Sequence, residues 1–113
     1  MDELTIPKVD ARFHRRHPDT GAILSGKPER HAGTLYVTGL WLTFQWKTLF
    51  STKEIEVYRD ELDGLVWSDK LLFGPARVRL ATFDLAAEFR MRRFVDARQM
   101  RVLLTTAVRS ERP

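Results

Sequence analysis

The sequence predicts a mainly β (α+β) domain: an antiparallel sandwich or partly open barrel of roughly six to seven short strands, capped by one C-terminal α-helix. Three observations predict it. Residues 34–46 alternate with a period of two on either side of Thr38-Gly39. Residues 77–92 do the same around Phe83-Asp84, and after Asp96 the period lengthens to that of a helix. With 113 residues, 43% of them hydrophobic and 30% charged, the chain is expected to form one globular domain over 1–113 with a single core.

Residues 1–8 are expected to form a loosely held N-terminal arm. From Val9 to His14, Val9, Ala11 and Phe13 alternate with Asp10, Arg12 and His14, which reads as a first strand. Pro18-Asp19-Thr20-Gly21 is turn chemistry, Ala22-Ile23-Leu24 reads as a short strand, and Ser25-Gly26-Lys27-Pro28 breaks the chain again. In the central hairpin, Leu35, Val37, Leu40, Leu42, Phe44 and Trp46 belong to apolar faces, and Thr34, Tyr36, Trp41, Thr43 and Gln45 to the opposite ones. These apolar, β-branched and aromatic residues suit a half-buried pleated surface.

A loop follows over 47–52. Lys53 to Tyr58 then alternates, with Ile55 and Val57 on one side. Arg59-Asp60-Glu61 reads as a turn, Leu62 to Trp67 as a strand with a bend at Asp63-Gly64, and Leu71-Leu72-Phe73 as a run that stops at Gly74-Pro75. In the second hairpin Val78 and Leu80 share a face with Ala87, Phe89 and Met91. Arg77 and Arg79 share the other with Glu88, Arg90 and Arg92. A turn at Phe83-Asp84 sets Arg77 opposite Arg90 and Arg79 opposite Glu88. Asp96 suits an N-cap with Gln99 three residues on. Met100, Leu103, Leu104, Ala107 and Val108 then fall on one stripe, so the spacing predicts a helix over 97–110.

Composition narrows the chemistry. The absence of cysteine excludes disulfides, thiolate chemistry and cysteine-ligated zinc, and suits a reducing cytoplasm. A net charge of +4 fits an anionic partner without requiring one. Met1-Asp2-Glu3-Leu4 lacks the basic start of a signal peptide, and no apolar run approaches the roughly 18–20 residues of a membrane span. The expected location is cytoplasmic, with any membrane contact made from the surface.

The segment Gly33-Thr34-Leu35-Tyr36-Val37-Thr38 followed by Leu40-Trp41-Leu42-Thr43-Phe44 resembles the G-x-L-Y-[VIL]-T…L-x-F signature of GRAM domains. These are a branch of the pleckstrin-homology (PH-like) superfold. Ile55 and Val57 leading into Leu62–Val66, then the 77–91 hairpin, Phe94 and the final helix, agree with the family's pattern over roughly residues 9–109. Two departures stand out: residues 15–32 do not match the usual lead-in, and the dense Lys/Arg motif of strong phosphoinositide binders is missing. The resemblance implies a lipid- or protein-binding adaptor, not an enzyme.

The residues agree with a binding role. No catalytic residue set is visible, because Ser and Thr have no His/Asp constellation. The three histidines His14, His17 and His31 lack the spacing of a metal site, the glycines are scattered singly, and no cofactor is expected. The loop at 46–53 has the composition of a membrane-dipping tip, with Leu49 and Phe50 central and Lys47 and Lys53 at the rim. The competing reading tucks Leu49 and Phe50 back as core. Arg77, Arg90 and Arg92 form an arginine face suited to phosphate, or else a solvated outer face. Arg12, His14, Arg15, Arg16 and His17 form another basic set, which can equally be a polar turn. Tyr36 and Trp41 face away from the main apolar set, either beneath a second layer or as a patch for a protein partner. The expected function is peripheral docking to anionic phospholipid. The alternative is protein interaction or homo-oligomerisation through a sheet edge or the Tyr36/Trp41 face. Nucleic acid is disfavoured, since the charge is modest and no stacking aromatics interleave the arginines densely.

Overall fold

Seven strands and one helix follow one another along the chain in a computed structural model that describes residues 3–15, 20, 27–62, 64–68, 76–82 and 84–111. They are β1 (Glu3–Arg15), β2 (Glu29–Thr38), β3 (Trp41–Lys47) and β4 (Thr52–Tyr58), then a 3-10 turn at Arg59–Glu61. After it come β5 (Gly64–Ser68), β6 (Ala76–Ala81), β7 (Leu85–Met91) and α1 (Phe94–Glu111). The strands make one antiparallel sheet in the order β4-β3-β2-β1-β7-β6-β5, which is not closed. The expected mainly β fold with one C-terminal helix is the fold observed.

The period-two residues do what alternation requires. Leu35, Val37, Leu42, Phe44, Trp46, Ile55, Val57, Val78, Leu80, Ala87, Phe89 and Met91 are all buried on the inner face. The helix lays Ala97, Met100 and Leu104 against that face, with Leu103 partly buried beside them. It packs on β1, β2, β6 and β7, so the oily interior is lined by sheet and covered by helix.

Three expectations are corrected. Glu3 to Lys8 are not an arm: they extend β1, pairing Glu3–Ile6 with Thr38–Leu35. The register then slips between Ile6 and Val9, where Lys8 takes φ 58°. This is a β-bulge, and it lets both Ile6 and Val9 face the core across a spacing of three that a regular strand would split between faces. Pro7 is tolerated there because a bulge leaves its missing N–H unneeded. Second, the helix starts at Phe94 instead of 97, and runs to Glu111. Asp96 lies inside its first turn, buried, with its carboxylate 3.9 Å from Arg93 Nε and its N–H donated to the Arg93 carbonyl. A carboxylate there complements the partial positive charge of the helix start. Third, Leu40 leaves the inner face: it sits in the β2–β3 turn, 53% exposed. Ala22-Ile23-Leu24 and Leu71-Leu72-Phe73 lie outside the described residues.

Gly33 shows how closely β2 and β3 approach beside the bulge. It stands opposite Val9, and a Cβ built on it would overlap the Gln45 backbone carbonyl. Gly64, at the start of β5, has no atom within 4 Å of such a Cβ. We therefore expect Gly33→Ala to cost about 1–3 kcal/mol or more by forcing β2 and β3 apart. Gly64→Ala should be neutral or stabilise by up to about 1 kcal/mol. Urea unfolding of both variants checks the pair.

Candidate functional site

The connection between β3 and β4 is a hydrogen-bonded turn at residues 48–51. The Thr48 N–H donates to the Ser51 carbonyl at 2.7 Å, the Thr48 hydroxyl donates to the same carbonyl at 2.9 Å, and the Ser51 N–H donates back to Thr48 Oγ1 at 3.1 Å. Between these two residues Leu49 and Phe50 stand 87% and 93% exposed. The turn has no slack to fold them back, so they are not core. Lys47 pairs with Thr52 and Trp46 with Lys53 in the ladder below, which brings both lysines to the foot of the apolar tip. The base is anchored by Trp46, buried and stacked on His31 with centroids 4.4 Å apart, and close to Phe13 and Phe44.

The arginine face forms with the expected register: Arg77 opposite Arg90, and Arg79 opposite Glu88. Arg77 Nη1 reaches Glu88 Oε1 at 3.8 Å. Arg92 lies exposed beyond the end of β7. What the sequence did not reveal is that β1 lies against β7, setting Asp10 opposite Arg90 and Arg12 opposite Glu88, while β2 sets Arg30 opposite Arg12. Asp10, Arg12, Arg30 and Arg90 thereby line one open depression of about 330 Å³ on the outer face. The outward half of the alternation in 9–14 was the available signal. The partner strand was not.

The other basic set divides. Strand alternation sends Arg12 and His14 outward, while Arg15 lies over the Phe13 ring at 5.3 Å and within 3.6 Å of Glu29. Arg16 and His17 lie outside the described residues. Tyr36 and Trp41 share the outer face. Tyr36 is half-buried, and Trp41 meets Tyr58 edge-on at 5.9 Å, both partly exposed. Below them Arg59 locks the β2–β3 turn, its N–H donating to the Leu40 carbonyl at 2.8 Å and its guanidinium to the Gly39 carbonyl at 3.1 Å. Thr38 Oγ1 accepts the Leu40 and Trp41 N–H groups at 3.1 Å, the local bonding that makes Thr38-Gly39 a turn. Among the described residues, no three His, Cys, Asp or Glu side chains converge, and no helix is long and apolar enough to cross a membrane.

No family model and no curated protein matches this sequence. Among solved structures, the chain is similar to the C-terminal domain of an unknown protein from Leishmania infantum, at 13% identity and a TM-score of 0.47, covering 88% of this chain and 81% of that one.

The stiffness of the tip rests on Thr48. Thr48→Ala removes the acceptor of the Ser51 N–H and a donor to its carbonyl, at about 0.5–1.5 kcal/mol per bond. The Ser51 amide should exchange with solvent faster than in the unmodified chain, and Thr48→Ser should restore its protection, as read by hydrogen exchange.

Proposed function

We propose that this chain is a non-enzymatic, PH-like module of GRAM type that docks peripherally on anionic membranes through the β3–β4 tip. The observation that carries the reading is the exposure of Leu49 and Phe50 on a hydrogen-bonded turn with Lys47 and Lys53 at its foot. The seven antiparallel strands followed by one covering helix support the family part of the reading, as does the Leu35-Tyr36-Val37-Thr38 core of the hairpin.

The energetics fit a weak, reversible contact. Burying a Leu and a Phe is favourable by about 1.5–3 kcal/mol each. Two lysines near an anionic leaflet add about 1 kcal/mol apiece. A total of about 5–8 kcal/mol corresponds to an affinity between sub-millimolar and about micromolar, enough for a reversible contact at a surface and too little for permanent anchoring.

A second reading has its own observation. Leu40, Trp41 and Tyr58 are partly exposed together at the β2–β3 corner, an apolar patch suited to a protein partner. The β4 edge is less suited to self-pairing, because Lys53, Glu54 and Glu56 stand along it.

Flotation with phosphatidylcholine vesicles containing 30% phosphatidylserine (about one lipid in three) separates the two readings. The membrane reading expects binding that weakens with salt and falls about a hundredfold in L49A/F50A, with Trp41→Ala unaffected. Salt-insensitive binding, or retention in L49A/F50A, counts against it. Concentration-dependent sedimentation abolished by Trp41→Ala favours the second reading.

A further inference from the structure

The depression between β2, β1 and β7 has the marks of a built anion site, and it does not depend on the membrane reading. Its guanidinium groups come from three strands: Arg12, Arg30 and Arg90. Arg12 faces Arg30 directly across one ladder, and Arg90 faces Arg77 across another. Like charges so placed disfavour the sheet. Glu88 relieves Arg77, at 3.8 Å. Among the described residues, no carboxylate comes within 4.0 Å of the guanidinium nitrogens of Arg12, Arg30 or Arg90, even though Asp10 lies opposite Arg90. Arg90 Nε is shut off from solvent and donates to no acceptor. An anion in the depression offsets the like charges that the register sets opposite one another.

The lining also selects the anion. Three guanidinium charges less the Asp10 carboxylate leave two positive charges, the complement of a phosphate monoester dianion. A volume of about 330 Å³ is at the small end of ligand pockets. Asp10 is an acceptor that the phosphoryl oxygens of a simple monoester dianion would leave unused and would repel. A ligand bearing a hydroxyl or ammonium beside its phosphate satisfies both. We propose that this depression binds a soluble phosphate monoester that carries such a donor, through Arg12, Arg30 and Arg90 on the phosphate and Asp10 on the donor.

Amide chemical-shift titration tests it, with glycerol 3-phosphate and methyl phosphate, a monoester without a further donor, as probes. The expected result is saturable shifts at residues 10–12, 30–32 and 90, with glycerol 3-phosphate binding more tightly than methyl phosphate. R12A and R30A should weaken binding about tenfold or more each, while R92A, an exposed arginine outside the depression, changes it little. D10N should erase the preference for glycerol 3-phosphate and strengthen methyl phosphate. Thermal melts guard against misfolding: R30A removes a like-charge pair and should melt no lower than the unmodified chain, R12A gives up both the like charge of Arg30 and the opposite charge of Glu88 and should melt close to it, and only the unmodified chain should be raised by glycerol 3-phosphate. Equal losses in R92A and R12A, or no saturable shift, overturn the proposal. A vesicle arm separates the sources, using phosphatidylcholine with phosphatidic acid, a monoester, against phosphatidylcholine with phosphatidylglycerol, a diester. If R12A loses phosphatidic acid selectively while glycerol 3-phosphate does not bind, the headgroup is the ligand and the soluble assignment falls. L49A/F50A should leave glycerol 3-phosphate binding intact, so failure at the tip and failure in the depression are read apart.

Discussion

β1 is the strand the structure depends on, because it is hydrogen-bonded on both sides by strands from opposite ends of the chain. Its second half pairs at once with β2 and with β7, and without it the sheet would fall into two pieces, each with its apolar face open. The bulge at Pro7-Lys8 makes this possible. It adds one residue to β1 against β2, increases the local bend, and restores the inward phase so that Ile6, Val9, Ala11 and Phe13 all reach the core. Gly33 is the matching concession on β2, where the β3 backbone at Gln45 comes too close for a side chain.

The same constraint separates what could be read from the sequence from what could not. Elements whose evidence is local were legible. The two hairpins, with the Arg77/Arg90 and Arg79/Glu88 oppositions, follow from a turn and a period of two. The inward set at Ile55 and Val57 and the helical stripe at Met100 and Leu104 follow in the same way. Residues 3–8 were missed because Ile6 to Val9 breaks the period, which is what a bulge does to a pattern. The helix start was placed too late because Asp96 has the chemistry of a cap, and tertiary burial of its carboxylate beside Arg93 put it inside the first turn instead. The gathering of Arg12, Arg30 and Arg90 was not legible at all. It needs the pairing of β1 with β7, and alternation says which face a residue takes without saying which strand lies beside it.

For Leu49 and Phe50 the sequence left two outcomes, and composition could not choose between them. Local hydrogen bonding does. Once Thr48 and Ser51 close the turn through backbone and hydroxyl, the two residues between them have nowhere to go but outward. Leaving a Leu and a Phe in water forgoes several kcal/mol, of order 1.5–3 for each. The core just below is meanwhile complete without them, with Trp46 held among Phe13, His31 and Phe44. The tip is therefore preorganised: its side chains are presented by a backbone already ordered, so a contact made there loses little further entropy.

The tip and the depression are also related through the sheet. Gln45 stands opposite Thr34, and continuing that register two residues sets Lys47 level with Ala32, which is opposite Asp10, itself opposite Arg90. Lys47, Arg90 and Arg77 thus fall along one row of the outer face, with Arg30 and Arg12 in the next. Asp10 sits within the row and offsets part of its charge, while Glu88 reaches Arg77 and Glu29 meets Arg15 and His31 at the strand end. Three cations against one carboxylate leave the row net positive. That is how a chain with a net charge of only +4 can still set a basic strip beside an apolar tip.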